Sequence, residues 1–363
     1  MTRSSASRGG RQPDLEALRA LAALMVFASH LPWYQYYPGG LFRNVPQWLS
    51  PRAPLFGIGG FAVVLFLVIS GAGLCRLLVL RGSALGRYLR DRLGKLFRTY
   101  WTIGIPIVAV AFASGWLPLS QWLNAALMLL GLGFVSQSTW AAVFPSWWYM
   151  AIAWQVVLVA PLMVWGFSKI RPAGVLAVTA LVVIASCFAV PALGMDYAEK
   201  ALVISRALEV LGGAFLAFEM WPEVREKAGV SRRGAALLVA GTFAVLVGIL
   251  AFGLGGRWLY RAAGLALTAH VVYWRSIERS GVAWLARAGA YAGGLSFAVY
   301  LLHEPVMLAI RHISGAPGNI TIGLLAAISL IAVGLLAVLF TRGTAWLGHA
   351  WSRRRPAAGG DAS

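Results

Sequence analysis

The chain contains a series of unbroken apolar stretches, and these limit its fold more than any other feature. Residues 55–75 and 172–192, for example, carry no charged side chain. Each is about the 20 residues that a helix needs to cross a bilayer. A spanning β-barrel would instead alternate polar and apolar residues. Composition agrees, with 60% hydrophobic and only 12% charged residues, where a soluble domain is about a quarter charged. A soluble domain, a disordered chain and a secreted disulfide scaffold are thereby excluded.

Ten spans are expected, at 15–34, 55–75, 99–115, 146–167, 172–192, 201–221, 234–254, 257–275, 290–312 and 320–341. The apolar stretch 119–135 begins beside Pro118 and is short, so it reads as an interfacial or re-entrant helix. The chain has 31 Lys and Arg against 12 Asp and Glu, a formal charge of +19. In a soluble protein this would suggest nucleic acid. Here the basic residues fall in alternate connections. One side holds Arg3, Arg8 and Arg11, the dense stretch 76–98, Lys169 and Arg171, the cluster from Arg225 to Arg233, Arg275 to Arg287, and Arg342 to Arg355. The other holds only Arg43, Arg52, Lys200, Arg257, Arg261 and Arg311. Basic residues favour the cytoplasmic side. The expected fold is therefore an all-α polytopic membrane bundle of about ten transmembrane helices, with both termini cytoplasmic. Residues 1–13 and 346–363 read as polar tails and 14–345 as one membrane domain. The N-terminus resembles a signal peptide, but Arg19 interrupts its apolar run and no small-residue cleavage pattern follows, so the run reads as a retained first span. The two cysteines, Cys75 and Cys187, lie in different spans and suggest neither a bridge nor a metal motif.

Ionisable groups inside spans are costly and mark function by default. Arg19 and His30 stand eleven residues apart. That is roughly three helical turns, so both leave one face, about 16 Å apart along the axis. His303, in Tyr300-Leu-Leu-His303-Glu304-Pro305, lies at a depth similar to His30. Imidazole exchanges a proton near neutral pH, so two histidines at matching depth suggest a proton-handling site. The plainer readings stay open: Arg19 reaching lipid phosphates, His30 capping its span, and His303 bonded to a neighbouring carbonyl. His270 reads as a packing residue, His312 and His349 as interfacial. Arg206 and Glu209 fall at i, i+3 and can neutralise each other. The basic stretch 76–98 reads as topology or as a cradle for an anionic cytoplasmic ligand. The sixteen tryptophans, including Trp33, Trp48, Trp116, Trp140, Trp147 and Trp148, read mostly as anchors at the membrane surface.

Five motifs in order resemble the acyltransferase 3 family of multi-pass membrane acyltransferases. Asp14 to His30 resembles its Arg, ten residues, His pattern. Leu65 to Gly71 is similar to its phenylalanine-rich stretch ending in Ser-Gly. Arg92-Leu-Gly-Lys95 before Tyr100-Trp101 is similar to an Arg-x-x-Arg box before Tyr-Trp. Trp148 through Gln155 to Pro161, and Ser296 to Pro305, complete the set. The resemblance implies acyl transfer from cytoplasmic acyl-CoA, with acetyl-CoA expected, to a hydroxyl of a cell-envelope carbohydrate or lipid-linked glycan, in the plasma membrane. It implies no permanently bound cofactor, no metal and no nucleic acid partner. His30 would act as base, Arg19 and His303 in support, and Arg92, Lys95 and Arg98 on the donor phosphates. Ser70, Trp148, Gln155 and Tyr300 are the remaining motif residues. The chain departs from the family where a Glu-Glu pair is common, at Ala153 and Trp154, and has Val64 where an acid is common. Lys95 stands where Arg is usual, and Arg98 where Pro is common. A transporter or flippase without acyl chemistry is the alternative class.

Overall fold

The computed structural model describes residues 13–30, 54–82, 84–136, 139, 144–193, 202–251, 264, 266, 268, 283–314 and 322–353. Among them every regular element is helical, and no strand occurs. The helices are α1 (Pro13–His30), α2 (Pro54–Arg81), α3 (Leu85–Ala113), α4 (Trp122–Leu129), α5 (Trp148–Lys169) and α6 (Pro172–Ala192). They continue with α7 (Ala207–Met220), α8 (Pro222–Lys227), α9 (Arg232–Ala251), α10 (Ala283–Ser314) and α11 (Ile322–Arg353). Four of them open on proline, whose fixed φ suits the first helical position and whose missing N–H is not needed there.

Among the described residues six helices are long and apolar enough to cross a membrane: Ile58–Arg81, Leu85–Ala113, Trp148–Lys169, Pro172–Val190, Arg232–Ile249 and Tyr291–Ile310. The other expected spans differ for identifiable reasons. Helix α1 opens on Asp14, Glu16 and Arg19, and α7 has 14 residues. Helix α11, at the expected span 320–341, runs over 32 residues, and the apolar part described with its side chains is Ala327–Gly343. The span expected at 257–275, with His270, lies outside the described residues except for helical positions 264, 266 and 268.

The basic stretch 76–98 is almost wholly helical. Helix α2 runs on to Arg81 and α3 begins at Leu85, because Arg, Lys and Leu are good helix formers. Helix α4, with 8 residues, rises only about 12 Å and cannot span. It ends at Gly131, whose φ of +74° suits a residue without Cβ. The Leu132 amide returns to the Leu127 carbonyl and the Gly131 amide to Met128, a Schellman closure. Side-chain donors add to this closure: Tyr100 Oη donates to the Met128 carbonyl as well, at 2.7 Å, Trp101 Nε1 to Leu129 at 2.7 Å and Trp154 Nε1 to Gly131 at 3.0 Å. The last carbonyls of a helix have no partner within it and need such donors. One of them is Trp154, at a position where the resemblance suggests an acid.

The centre of the bundle is built from α1, α2, α7 and α10. Every residue from Ala207 to Phe218 of α7 is buried. Two crossings set its geometry. Gly71 of α2 lies against the Val210 carbonyl, and Gly213 of α7 against the Val68 carbonyl. Each glycine thus meets the carbonyl three residues before the other, as in a parallel crossing of small residues. Likewise Gly289 meets Ala17 and Gly293 meets the Glu16 carbonyl, so α10 crosses α1 near its start and runs the same way. A methyl group at Gly293 would collide with the α1 backbone, whereas one at Gly334 of α11 would meet nothing within 4 Å. Gly293→Ala is expected to lower stability by about 1–3 kcal/mol, with Gly334→Ala near wild type. Thermal unfolding of the detergent-solubilised proteins checks the pair.

Candidate active site

The parallel course of α1 and α10 brings the two histidines together. The ring centroids of His30, last residue of α1, and His303 lie 4.8 Å apart, with the planes at 67°. Each ring is fixed through Nδ1 to a carbonyl of its own helix: His30 to Val26 at 2.9 Å, and His303 to Tyr300. A carbonyl only accepts, so in both neutral rings Nδ1 carries the hydrogen and Nε2 keeps a lone pair. His303 is 1% exposed, and its Nε2 has no hydrogen-bond partner. The packing reading of His303, a bond to a neighbouring carbonyl, is thus true of one nitrogen and leaves the basic one unspent.

An aromatic layer continues inward from the pair. Tyr300 stands 5.6 Å from His303 and 5.4 Å from Tyr149, and Tyr149 stands 5.6 Å from Phe66. Ser70 is a polar neighbour of the Tyr149 hydroxyl, and the charges of Arg19 and Arg206 reach it from opposite sides of the sequence. The turn before α5 closes the layer. The Ser146 amide donates to Glu304 Oε2 at 2.9 Å, and Trp147 Nε1 donates to the Leu301 carbonyl at 2.9 Å. Trp147 is fully buried, against its expected place at the membrane surface, because its indole N–H is needed inside. Trp116 remains exposed. Trp33, Trp48 and Trp140 lie outside the described residues, as do the side chains of His312 and His349.

Arg19 does not join the histidines. It pairs with Glu16, Nη1 to Oε1 at 2.5 Å, and its Nη2 lies beside Gly73 of α2. Helical side chains lean toward the N-terminus, so the guanidinium points away from His30. The residues expected on the donor also separate. Arg92 is half-buried, with Tyr88, Arg81 and Arg19 among its charged and polar neighbours, while Lys95 and Arg98 are exposed. Beside them α8 covers the end of α2: Arg76 lies 5.0 Å over the Trp221 ring, and Lys227 Nζ donates to the Leu80 carbonyl at 3.0 Å.

Gln155 braces the turn before α7. Its Nε2 donates to the Ala151 carbonyl at 2.8 Å, and its Oε1 accepts the Val203 amide at 3.0 Å. Trp148, half-buried, meets the Tyr149 ring at 6.3 Å. Arg206 and Glu209 form the ion pair expected from their spacing, at 2.8 Å and fully within the bundle. Both cysteines are free thiols. Among the described residues no group of three His, Cys, Asp or Glu side chains could hold a metal ion.

The order of these motifs along the chain can be set against known families. The family model of the acyltransferase domain, Acyl_transf_3, matches residues 12–342, nearly the whole chain. The chain belongs to the acyltransferase 3 family. No curated protein and no solved structure gave a match. As a member of that family it is a membrane acyltransferase with transmembrane helices. Three of the residues around its histidines, Tyr149, Ser146 and Glu304, do not stand out in the sequence. Tyr149 and Ser146 flank a tryptophan pair that resembles a surface anchor, and Glu304 sits beside a proline where a carboxylate suggests a helix end.

Proposed function

We propose that this acyltransferase moves an acyl group, acetyl in the first instance, from cytoplasmic acyl-CoA to a hydroxyl of a cell-envelope carbohydrate or similar acceptor, in the plasma membrane. The observation that carries this reading is the His30–His303 contact with its unspent Nε2. A neutral imidazole at this place can take the proton of the attacking hydroxyl or carry the acyl group for one step. The acceptor hydroxyl attacks the thioester carbonyl, the carbon–sulfur bond breaks, and the proton passes through imidazole to the leaving thiolate.

Arg19 of α1 and Arg92 of α3, which feels its charge, support a donor end away from the histidines. There a guanidinium can hold phosphate in a bidentate fork, and Lys95 and Arg98 add charge at its rim. Arg19 belongs to this end and not to the reacting carbonyl, since Glu16 holds it a long way from His30.

The test is acyl-CoA consumption by the purified protein in nanodiscs. An acyltransferase consumes acetyl-CoA in the presence of isolated cell-envelope glycan and labels it, whereas a transporter or flippase leaves the thioester intact. Replacing Arg92 and Lys95 by Gln should weaken acetyl-CoA binding by about tenfold or more, as expected for losing charge-assisted contacts. Unchanged affinity would move the donor site elsewhere.

A further inference from the structure

Tyr300 precedes His303 by three residues on α10, so the two side chains leave the same helix face. Its ring is sandwiched between His303 at 5.6 Å and Tyr149 at 5.4 Å. The residue is 2% exposed, and its hydroxyl has no hydrogen-bond partner. The backbone amide of Tyr149, in the first turn of α5, lies near that hydroxyl oxygen and leaves its O–H free to donate. Buried polar groups are ordinarily paired. One turn further on, His303 Nε2 is equally buried and equally unpaired. A donor and an acceptor, orphaned one turn apart on one face, make a two-point site. It fits a group that brings an oxygen to the first and a proton to the second.

We propose that the Tyr300 hydroxyl donates a hydrogen bond to the carbonyl oxygen of the acyl group in transit, which makes it the oxyanion donor of the reaction. This rests on the acyl-transfer reading above. As the acceptor oxygen bonds to the carbonyl carbon, the electron pair of the C=O bond moves onto its oxygen, and the acceptor proton moves to imidazole Nε2. Tyr300 keeps its own proton and donates only a hydrogen bond to the new oxyanion. When the C=O bond re-forms, the carbon–sulfur bond breaks, and the thiolate takes the proton from the imidazolium. Arg19, the cation that shares a helix face with His30, is held by Glu16 toward the other end of α1 and leaves this task to another donor. Tyr300 meets the need through a rigid ring that is already in place, and preorganised donors of this kind dominate acyl-transfer catalysis.

Tyr300→Phe keeps the ring and its contacts and removes one oxygen. Wild type and variant are compared in nanodiscs with radiolabelled acetyl-CoA and isolated cell-envelope glycan. The variant should lose about 10²–10³-fold in kcat, with KM for acetyl-CoA and the melting temperature unchanged. Wild-type kcat in the variant overturns the assignment, and so does a fall in kcat accompanied by an equal fall in thermal stability, since that marks a packing role. A wild-type protein that transfers no acyl group overturns the functional reading and this proposal with it, a result distinct from an active enzyme that is indifferent to Tyr300.

Discussion

His30→Ala should abolish most acyl transfer, lowering the rate by about 10²–10⁴-fold, the usual worth of a positioned acid–base group. His303→Ala should fall in the same range, because the two rings touch and are read as one proton-handling unit. Binding of acetyl-CoA should survive both changes. Arg19 lies roughly 16 Å from His30 along the helix axis, too far for the imidazole to contribute to phosphate binding. The measurement is single-turnover transfer in nanodiscs beside a separate equilibrium binding experiment, with the yield of folded protein matched. Full activity in the His30 variant would remove the base assignment. A parallel loss of binding would instead show that α1 had failed to pack.

The second large effect concerns the pair buried in α7. Arg206 is 5% exposed and Glu209 0%, with Nε and Oε1 at 2.8 Å. Arg206→Met strips the counter-charge from a carboxylate that has no water to turn to, and breaking a buried pair from one side costs about 3–5 kcal/mol. Removing both charges is far milder, since apolar replacements of buried pairs are often neutral. Arg206→Met should therefore lower the melting temperature sharply, and Arg206→Met with Glu209→Leu should recover most of the loss. Should the double variant fare no better than the single one, the pair is held for some purpose other than mutual neutralisation.

The legibility of this fold follows from which forces act within a segment and which act between segments. Helicity and membrane burial could be read directly, because apolar length alone sets them. The i, i+3 pairing of Arg206 with Glu209 and the shared face of Arg19 and His30 follow from one period. The lean of Arg19 toward Glu16 also follows from helix geometry, but spacing alone does not say which partner captures the guanidinium. The meeting of His30 with His303 depends on Gly289 and Gly293 admitting α1. Glycines in a long apolar run do not announce which neighbour they face. Trp147 and Tyr149 were masked by their own chemistry. An aromatic ring with one polar atom suits the headgroup region as well as it suits a buried site, and only the Leu301 carbonyl and the Tyr300 ring distinguish the two. The basic stretch 76–98 reads as a connection because its charge marks topology, while its Arg, Lys and Leu also carry the helices on through it.

The crossing of α10 over α1 acts as a fulcrum. It sits at Ala17 and Glu16, while the imidazoles stand at the far tip of the lever, roughly 20 Å away. At that reach a tilt of about 5° carries the tips apart by about 1.5–2 Å, and a displacement of about 1 Å can cost a hundredfold in rate. Substitutions at Gly289 or Gly293 that spare the fold can thus throttle the chemistry from the other end of the helix pair, without touching a reacting atom.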